Sequence, residues 1–268
     1  MKQEPYGLLF LMHQIEKMAP YMNKISFYMA GNIEIVIGTG MHEFPYHTHN
    51  SFMVGAIMNG SGEFCIGDEN SKLYKEDIYV VPSNTGISIK PVNDFSYITI
   101  CLKNDLADRM TEYEVNEYYY IGLGDVLFEF ANTFQMERID EKDFVNKIIG
   151  LLGLKKVPDS KVVRSEAIIN AVQYIQSCED RFDLNEISKL VYLSKYHFIR
   201  LFKKDMGITP KQYHQQCRIR NVKRMALHSL QKEIAYDLGF STQSHMDSVF
   251  KQYMGITLNN YIDSIVKK

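Results

Sequence analysis

Two segments in the C-terminal part of the chain resemble each other at a spacing of about 47 residues. The first runs from Leu184 to Pro210, and the second runs from Gln231 to Leu258. Each has an apolar stripe of helical spacing, a serine ahead of a second stripe, and then Phe-Lys followed by Gly-Ile-Thr. An internal repeat of this kind predicts two copies of one structural unit. The spacing of the apolar residues makes each unit two helices joined by a tight turn.

The second helix of the first copy is predicted to have two distinct faces. Phe198 and Phe202 share its apolar face. The opposite face carries polar, aromatic and cationic side chains: Lys195, Tyr196, Ile199, Arg200 and Lys203. Ser194 and Ser241 stand where the second helices would begin, so their hydroxyl groups are expected to cap the free backbone N–H groups there. A helix with such an exposed face suits the major groove of duplex DNA.

The repeated segments resemble the DNA-binding module of the arabinose-regulator (AraC/XylS) family of transcription factors. The strongest matches are Ser194–Tyr213 and Glu233–Ser244, and the resemblance extends over about Ala167–Ile262. It implies two helix-turn-helix units bridged by one long helix at about Pro210–Leu227. It also implies that both recognition helices occupy successive major grooves on one face of the duplex, roughly 34 Å apart.

The resemblance assigns DNA contacts to the first unit residue by residue. Tyr196, Ile199 and Arg200 occupy the positions where the family contacts bases, and Arg200 would bind a guanine edge through two hydrogen bonds. Phosphate contacts position a protein without specifying sequence. The phosphate contacts are expected from three lysines: Lys195, Lys203 and Lys204.

The second unit departs from the family pattern. Met246 and Ser248 stand where the family usually has an aromatic residue and an arginine, Leu258 replaces the usual proline, and Gln231 replaces an isoleucine. The connection Met225–Lys232 is also several residues shorter than is usual. The expected DNA contacts of this unit are Thr242, Gln243, Ser244, His245 and Ser248. Because this set contains no lysine or arginine, we expect the second recognition helix to contribute less specificity than the first.

The N-terminal part contains short segments rich in Val, Ile, Tyr and Phe, separated by Gly, Asn, Ser and Pro. Such spacing predicts an antiparallel sandwich or barrel, and residues 45–66 resemble the cupin barrel that family members commonly carry. The predicted strands are Ile33–Ile37, Phe52–Met58, Glu63–Ile66, Asp77–Val81 and Tyr97–Leu102. Two helices are predicted to follow from Asp125. Their apolar stripes are Val126, Leu127, Phe130 and Phe134, and then Phe144, Ile148, Leu151 and Leu152.

His47 and His49 lie two residues apart and would share one side of a strand, facing the barrel interior. In metal-binding cupins a carboxylate follows four residues after the second histidine, where this chain has Met53, and Pro82–Ile89 contains no further histidine. Two imidazoles alone make a poor metal site, so neither a metal nor another cofactor is expected. His47, His49 and Met53 are predicted to bind a small-molecule effector, and a purely structural histidine pair is the alternative.

Charge divides the chain into two parts, since residues 1–154 carry a net charge of −10 and residues 155–268 a net charge of +8. Such a division is typical of an acidic module joined to one that binds a polyanion. We therefore predict an α+β protein with two domains. In chain order these are a cupin-like β-barrel with two helices (1–154), a linker at Gly153–Asp159, and an all-α domain (160–268) with helix-turn-helix units at about 184–205 and 231–254.

The predicted function is sequence-specific binding to double-stranded promoter DNA by an effector-responsive activator that contacts RNA polymerase. A homodimer is expected to form through the helices of Asp125–Leu154. No complete catalytic set is found, so enzymatic activity is not expected. Leu8–Met12 is too short for a secretion signal and no apolar run could span a bilayer, which favours the cytoplasm. The alternatives are a metal-dependent cupin enzyme with a degenerate helical tail and a regulator that acts by protein contacts without DNA.

Overall fold

The computed structural model describes residues 23–137, 140–157, 165–180 and 182–266. The apolar block Leu8–Met12, the end of the predicted linker (158–159) and the side chain of Phe134 lie outside the described residues. Within the described ranges, no helix combines the length and the apolar character needed to cross a membrane.

Most of the strands belong to one large sheet. The described strands are β1 Lys24–Ala30, β2 Ile33–Thr39, β3 Phe44–Thr48, β4 Phe52–Ile66, β5 Glu69–Tyr74, β6 Ile78–Val81, β7 Gly86–Leu102, β8 Tyr113–Glu114, β9 Tyr119–Tyr120, β10 Lys155–Lys156 and β11 Ile265–Val266. The sheet runs in the order β11-β1-β2-β7-β4-β6-β9, with β3 also paired to β7 and β5 also paired to β4. Its strands pair antiparallel except for β1 and β11, which are parallel.

Strands β4 and β7 pair along almost their whole length and organise the sheet. Their register shifts between Ile57 and Gly62, and such irregularities bend a strand. One half of β4 also pairs with β6 and the other half with β5. The predicted strands Phe52–Met58 and Glu63–Ile66 are therefore one bent strand. The sheet is cupin-like but open, so the closed barrel that was predicted is not formed.

Aromatic rings lie flat against glycines of the sheet. A Cβ atom on Gly38 would lie 2.4 Å from the Tyr97 ring, and one on Gly55 would lie 2.1 Å from the Tyr79 ring. Only glycine leaves room for a ring at these two positions, because a side chain would overlap it. The ring centre of Phe64 lies 5.0 Å from that of Tyr79. The chain's own aromatic side chains thus fill this part of the strand core.

Three helices follow β7 and cover the other part of the sheet. They are α1 Asn104–Met110, α2 Gly124–Glu137 and α3 Glu141–Leu151. Phe144 and Ile148 are fully buried in a core that also contains Ile33 and Val54 of the sheet. The apolar stripe of α3 therefore packs within the chain. The expectation that Phe144 and Ile148 form a dimer surface is wrong, because the sheet already covers them.

The remaining part of the chain is helical, as predicted. Its helices are α4 Glu166–Ser177, α5 Leu184–Leu190, α6 Lys195–Met206, α7 Pro210–Met225, α8 Gln231–Asp237, α9 Gln243–Met254 and α10 Leu258–Ser264. The bridging helix α7 starts at a capping box. Thr209 Oγ1 accepts a hydrogen bond from Gln212 N (3.3 Å), and Gln212 Oε1 accepts one from Thr209 N (2.9 Å). Pro210 occupies the first helical position, where a missing N–H costs nothing.

The two helix-turn-helix units are built around separate cores. In the first unit, Phe198 and Phe202 belong to a cluster whose buried members all come from residues 168–217. The core of the second unit also includes Ile25 and Phe27 of β1. Strand β11 follows α10 directly and pairs with β1. The second unit is therefore joined to the sheet by a common apolar core and a strand. The first unit has its buried core within the helical part, with the half-buried Tyr46 of β3 packed against it.

Candidate nucleic-acid interface

The first recognition helix, α6, is fixed by its ends and by its apolar face. Ser194 Oγ accepts a hydrogen bond from His197 N (3.3 Å), which confirms the predicted cap. Gly207 ends the helix in the left-handed conformation that commonly closes helices. Phe198 and Phe202 are completely buried. The opposite face of α6 is consequently held toward solvent in a defined orientation.

That exposed face carries the side chains predicted to contact DNA. Tyr196 is 79% exposed, and Ile199 is half-buried. The cations of the helix are all exposed: Lys195, Arg200, Lys203 and Lys204. Neutralisation of phosphates by such side chains dominates the affinity of proteins for DNA. The arrangement is suited to a duplex whose backbone passes on both sides of α6.

The second recognition helix, α9, begins one position later than predicted. Its N-cap is Thr242, whose Oγ1 accepts a hydrogen bond from His245 N (3.0 Å). Ser241 Oγ instead forms a hydrogen bond with His245 Nδ1 (3.0 Å). The prediction that Ser241 caps the helix is wrong because the turn of the second unit is one residue longer. Beyond the turn, residues of the two units therefore correspond at a spacing of 48, as the N-caps do.

This correspondence matches each DNA-facing position of α6 with a position of α9. The pairs are Lys195 and Gln243, Tyr196 and Ser244, Ile199 and Asp247, Arg200 and Ser248, Lys203 and Lys251, and Lys204 and Gln252. The side chains predicted to contact DNA from the second unit are all exposed: Thr242, Gln243, Ser244, His245 and Ser248. In these positions α9 has one cation, Lys251, where α6 has four. Attraction of phosphates therefore depends mainly on α6.

Some side chains of α9 have partners within the protein. Gln243 Nε2 donates to Gln231 Oε1 (2.9 Å), and the amide of Gln231 donates in turn to Asn259. Gln231, which departs from the family pattern, thus links α8, α9 and α10. Asp247 is partly buried, and burial raises the pKa of its carboxyl group. The second unit therefore places internal hydrogen bonds where the first unit has the exposed cation Lys195.

The turns that precede the two recognition helices also differ. Both contain a residue in the left-handed conformation, Gly239 with a φ of 65° and Tyr192 with a φ of 54°. Glycine adopts this conformation freely, whereas a residue with a Cβ atom loses roughly 1–2 kcal/mol. Tyr192 is 95% exposed, and among the described residues its phenol ring has no hydrogen bond or ring contact. Packing within the protein does not offset this cost.

The bridging helix α7 docks on the sheet through polar contacts. Gln216 Oε1 accepts hydrogen bonds from both N and Oγ1 of Thr48, each 3.0 Å long. Arg220 Nη1 donates to Thr48 O (3.1 Å), and Tyr213 OH donates to Asn84 Oδ1 (2.9 Å). These residues were not predicted as functional, because partners at least 129 positions apart leave no local pattern.

One buried carboxylate joins the sheet to α7. Glu34 of β2 is 3% exposed and forms ion pairs with Lys103 (2.8 Å) and Lys223 (3.2 Å). Burial raises the pKa of this carboxyl group, but the charges of Lys223 and Lys103 outweigh burial and hold the pKa at about 2. Lys223 Nζ also lies 5.0 Å from the ring centre of Phe27. Glu34 is the one acid inside the apolar segment Ile33–Ile37. This pattern could have indicated a buried carboxylate with a cationic partner, although not which lysines pair with it.

His47 and His49 lie at the junction between the sheet and the helical part. Their ring centres are 4.7 Å apart, and that of His47 is 6.5 Å from that of Tyr253 in α9. Burial and the charge of Arg220 lower the pKa of His47 to about 4. Burial, the neighbouring His47 and Arg220 hold the pKa of His49 well below 6.5. Met53 is buried in the strand core instead. His47 pairs with Ile87, a buried member of the same core. Because β3 ends at Thr48, the alternation of the strand gives no orientation for His49, and the inward orientation of the pair stays a prediction.

The histidine pair is held by the protein itself. The Nδ1 atom of His47 donates to the carbonyl oxygen of Pro45 (2.6 Å). Within the described ranges, no three His, Cys, Asp or Glu side chains form a cluster that could hold a metal ion. The pair can therefore offer hydrogen bonds and ring contacts to a ligand at the junction with α7 and α9.

Comparison with known proteins gives a family match for each of the two parts of the chain. An AraC-like ligand binding domain matches residues 33–120, and a helix-turn-helix domain matches residues 187–264. YbfI, an uncharacterized HTH-type transcriptional regulator of Bacillus subtilis, is 26% identical over 77% of this chain and 82% of its own. The lactose operon transcription activator of Staphylococcus xylosus is 20% identical over 85% of this chain and 89% of its own.

A solved structure shares the fold over nearly the whole length. ToxT from Vibrio cholerae, in a crystal structure with bound unsaturated fatty acid, has a TM-score of 0.54 and 16% sequence identity, covering 90% of this chain and 96% of that one. The two family matches fall on β2 to β9 and on α5 to α10, and together they cover more than half of the chain. The chain is therefore a DNA-binding transcription regulator of the AraC type, with an AraC-like ligand-binding domain ahead of its two helix-turn-helix units.

Proposed function

We propose that this regulator activates transcription in response to a small molecule and that α6 supplies most of its contact with promoter DNA. The observation that carries the proposal is the exposed face of α6, with four cations and Tyr196 over a buried aromatic core. In this proposal Tyr196, Ile199 and Arg200 contact bases. The phosphate contacts come from Lys195, Lys203 and Lys204. The second unit adds weaker contacts from Thr242, Gln243, Ser244, His245 and Ser248.

Two domains divide these roles in the proposal. Residues 1–154 bind the effector and mediate dimerisation, and residues 160–268 bind DNA, with helix-turn-helix units at about 184–205 and 231–254. The opposite net charges of −10 and +8 on the two parts support this division, since a basic domain attracts DNA and an acidic one does not. We place the protein in the cytoplasm, where promoter DNA is found, and assign it no catalytic role.

Activation is supported by two relatives that are named activators, one of Staphylococcus xylosus and one of Bacillus subtilis. An activator of this kind would contact RNA polymerase through a surface that remains free when α6 and α9 lie on DNA. A homodimer is proposed through the solvent side of α2 and α3, where Val126 is 40% exposed. Light scattering of the full chain tests the dimer, and a strict monomer at tens of micromolar would contradict it.

For the effector we propose a small molecule that binds at the junction beside His47 and His49. Burial and Arg220 keep both imidazoles neutral at pH 7, so they can donate and accept hydrogen bonds. Met53, in the neighbouring core, would contact an apolar portion of the ligand. The fatty acid bound to ToxT supports a ligand with such a portion. Thermal-shift measurements with fatty acids test this: a shift abolished by His49→Ala supports the site, and no shift with any of them contradicts this ligand class.

Binding at this junction would be transmitted through α7. Gln216 and Arg220 both contact Thr48, which separates the two histidines in the sequence. A ligand that prefers one docked position of α7 shifts the population of that position. Because α7 bridges the two units, its position sets the spacing of α6 and α9.

The decisive experiment compares the wild type with Arg200→Ala and Lys203→Ala on a duplex selected from random DNA by the wild-type protein. Arg200→Ala should lose roughly 1–3 kcal/mol of specific binding and relax preference at one base pair. Lys203→Ala should weaken binding to all sequences and reduce the slope of affinity against salt by about one. Lys72→Ala, which removes an exposed lysine of β5, is the matched control and should change neither quantity.

Two outcomes favour the alternative functions. If the wild type binds no duplex at low salt and the purified protein holds stoichiometric metal, the chain acts as a cupin enzyme. If it binds no duplex but still changes transcription in cells through its helical part, it acts by contact with other proteins.

A further inference from the structure

The turn before α6 contains a residue that the fold does not require. In the second unit the residue with the left-handed conformation is Gly239, whereas in the first unit it is Tyr192. Apart from Glu76, the other described non-glycine residues with positive φ are Asn84, Asp94 and Asn104, whose types tolerate this conformation. Tyrosine does not, and strain of this kind in a native structure is often associated with function.

The ring of Tyr192 is available to a partner. It is 95% exposed, and within the described part of the chain it has no hydrogen bond and no ring contact. Tyr196, four residues further along, is 79% exposed. Lys189 and Lys195, three residues to either side of Tyr192, are exposed as well. A protruding aromatic ring is thus flanked by two positive charges, which is the chemistry that suits a polyanion.

The position of the turn specifies which part of the polyanion is within reach. The N-terminal residues of a recognition helix enter the major groove, and Tyr192 lies two residues ahead of the N-cap Ser194. The turn must therefore pass over the sugar–phosphate backbone at the edge of the groove. A phenol hydroxyl can donate to a phosphate oxygen, and its ring can pack against deoxyribose.

We propose that Tyr192 is a DNA-backbone contact of the first unit, one that the second unit lacks because it has Gly239. This inference rests on the proposed insertion of α6 into the major groove. The occupant is double-stranded DNA of any sequence, since the backbone is the same at every site. Tyr192 would therefore raise the affinity of the first unit without adding preference for a base.

The test measures affinity and stability together on Tyr192→Gly, Tyr192→Ala and Tyr192→Phe. Fluorescence anisotropy would use the selected duplex and a scrambled duplex of the same composition. We expect Tyr192→Gly and Tyr192→Ala to lose roughly three- to tenfold in affinity for both duplexes. The slope against salt should not change, because no charge is removed. Tyr192→Phe should show a smaller loss, limited to that of the hydroxyl group.

The loss of DNA affinity in Tyr192→Gly should not be accompanied by a loss of thermal stability. Tyr192→Gly should melt no lower than the wild type and above Tyr192→Ala, because only glycine relieves the left-handed strain. Tyr236→Ala is the matched control, since this tyrosine of α8 is 84% exposed but precedes the other turn. It should leave the affinity for both duplexes unchanged.

The outcomes separate this inference from the function on which it rests. If the wild type and Lys203→Ala behave as a DNA-binding protein should, but Tyr192→Gly and Tyr192→Ala bind both duplexes as tightly as the wild type, Tyr192 does not contact DNA. Loss of transcription with unchanged DNA affinity would also overturn the inference and would indicate a protein partner. If the wild type itself binds no duplex, the proposed function fails first.

Discussion

The two helix-turn-helix units have the same order of elements but are attached to the rest of the molecule in different ways. The buried residues of the first unit's core all lie in the helical part, although Tyr46 of β3 packs against them. Its other contacts with the sheet are polar and run through α7, where Gln216 bonds to Thr48 and Tyr213 bonds to Asn84. The second unit shares its core with Phe27 of β1 and adds β11 to the sheet. Polar contacts can exchange with water at modest cost, whereas separation of an apolar core exposes its surface.

This difference matches the difference in their DNA-facing sides. The unit with the more separable attachment carries four exposed cations, and the unit fused to the sheet carries one in the corresponding positions. We infer that the second unit serves mainly to fix the helical part on the ligand-binding part, while the first unit supplies most of the binding to DNA. The following three predictions test the contrast, beginning with the largest effect.

Removal of a shared core side chain should affect the second unit and the sheet together. Phe27→Ala should lose roughly 3–5 kcal/mol in the free energy of unfolding, as large-to-small changes of buried aromatic residues do. Hydrogen exchange should quicken in β1 and in α8 to α10. Phe198→Ala is the matched variant, and its faster exchange should be confined to α4 to α7. If Phe27→Ala left exchange in α8 to α10 unchanged, the shared core would not be a cooperative unit.

Acid should weaken the attachment of α7 through Glu34. The folded state holds the pKa of this carboxyl group at about 2, below its ordinary value of 4.5. Its contribution, roughly 3 kcal/mol by linkage, is therefore complete above about pH 5 and lost as pH falls toward 2. Lys103, Lys223, His49 and Tyr261 lie around the group.

The measurement is the free energy of unfolding by urea between pH 6 and pH 3. Glu34→Gln should flatten the dependence on pH, although the two lysines left without a counter-charge should lower stability at every pH. An equally steep loss in Glu34→Gln would assign the acid sensitivity to other groups. His47 and His49 are the first to consider, because their lowered pKa values also make stability fall below about pH 6.5.

The smallest effect concerns Ser248, which stands in α9 at the position that Arg200 occupies in α6. Ser248→Ala should change DNA affinity by less than Arg200→Ala, since a hydroxyl offers one hydrogen bond and a guanidinium group offers two in a fixed geometry. Ser248→Arg should raise affinity by up to about 1 kcal/mol and increase the slope against salt. Footprints of these variants check the ranking. Equal sensitivity of both half-footprints would show that the fused unit also contributes fully to DNA recognition.

The sequence predicted what local patterns encode. The repeat, the helical stripes and the cap at Ser194 depend on neighbours within a few residues, and the structure confirms them. The prediction that Ser241 caps α9 was wrong, because the turn has one extra residue and Thr242 is the N-cap instead. The apolar stripe with Phe144 could have faced a partner or the sheet, and periodicity does not distinguish the two.

The attachment of the two parts was not predictable in the same way. Strand β1 was not among the predicted strands, although its Phe27 completes the second core. Glu34, Lys103 and Lys223 approach one another only after folding, so their spacing carries no signal. His47 and His49 lie close together, as their spacing predicts, but the end of β3 at Thr48 could not be read from the alternation.

The pairing of β11 with β1 has a consequence for how the chain is made. Phe27 pairs with Ile265, so the partner of this strand is synthesised only after more than 230 further residues. At roughly 5–20 residues per second on the ribosome, the interval lasts on the order of ten to fifty seconds. During that time the outer edge of β1 has no partner strand, and an open edge with apolar neighbours is prone to aggregate. The contact that anchors the second unit in the folded protein therefore leaves a strand edge open on the nascent chain, and the exposure lasts longer when synthesis is slower.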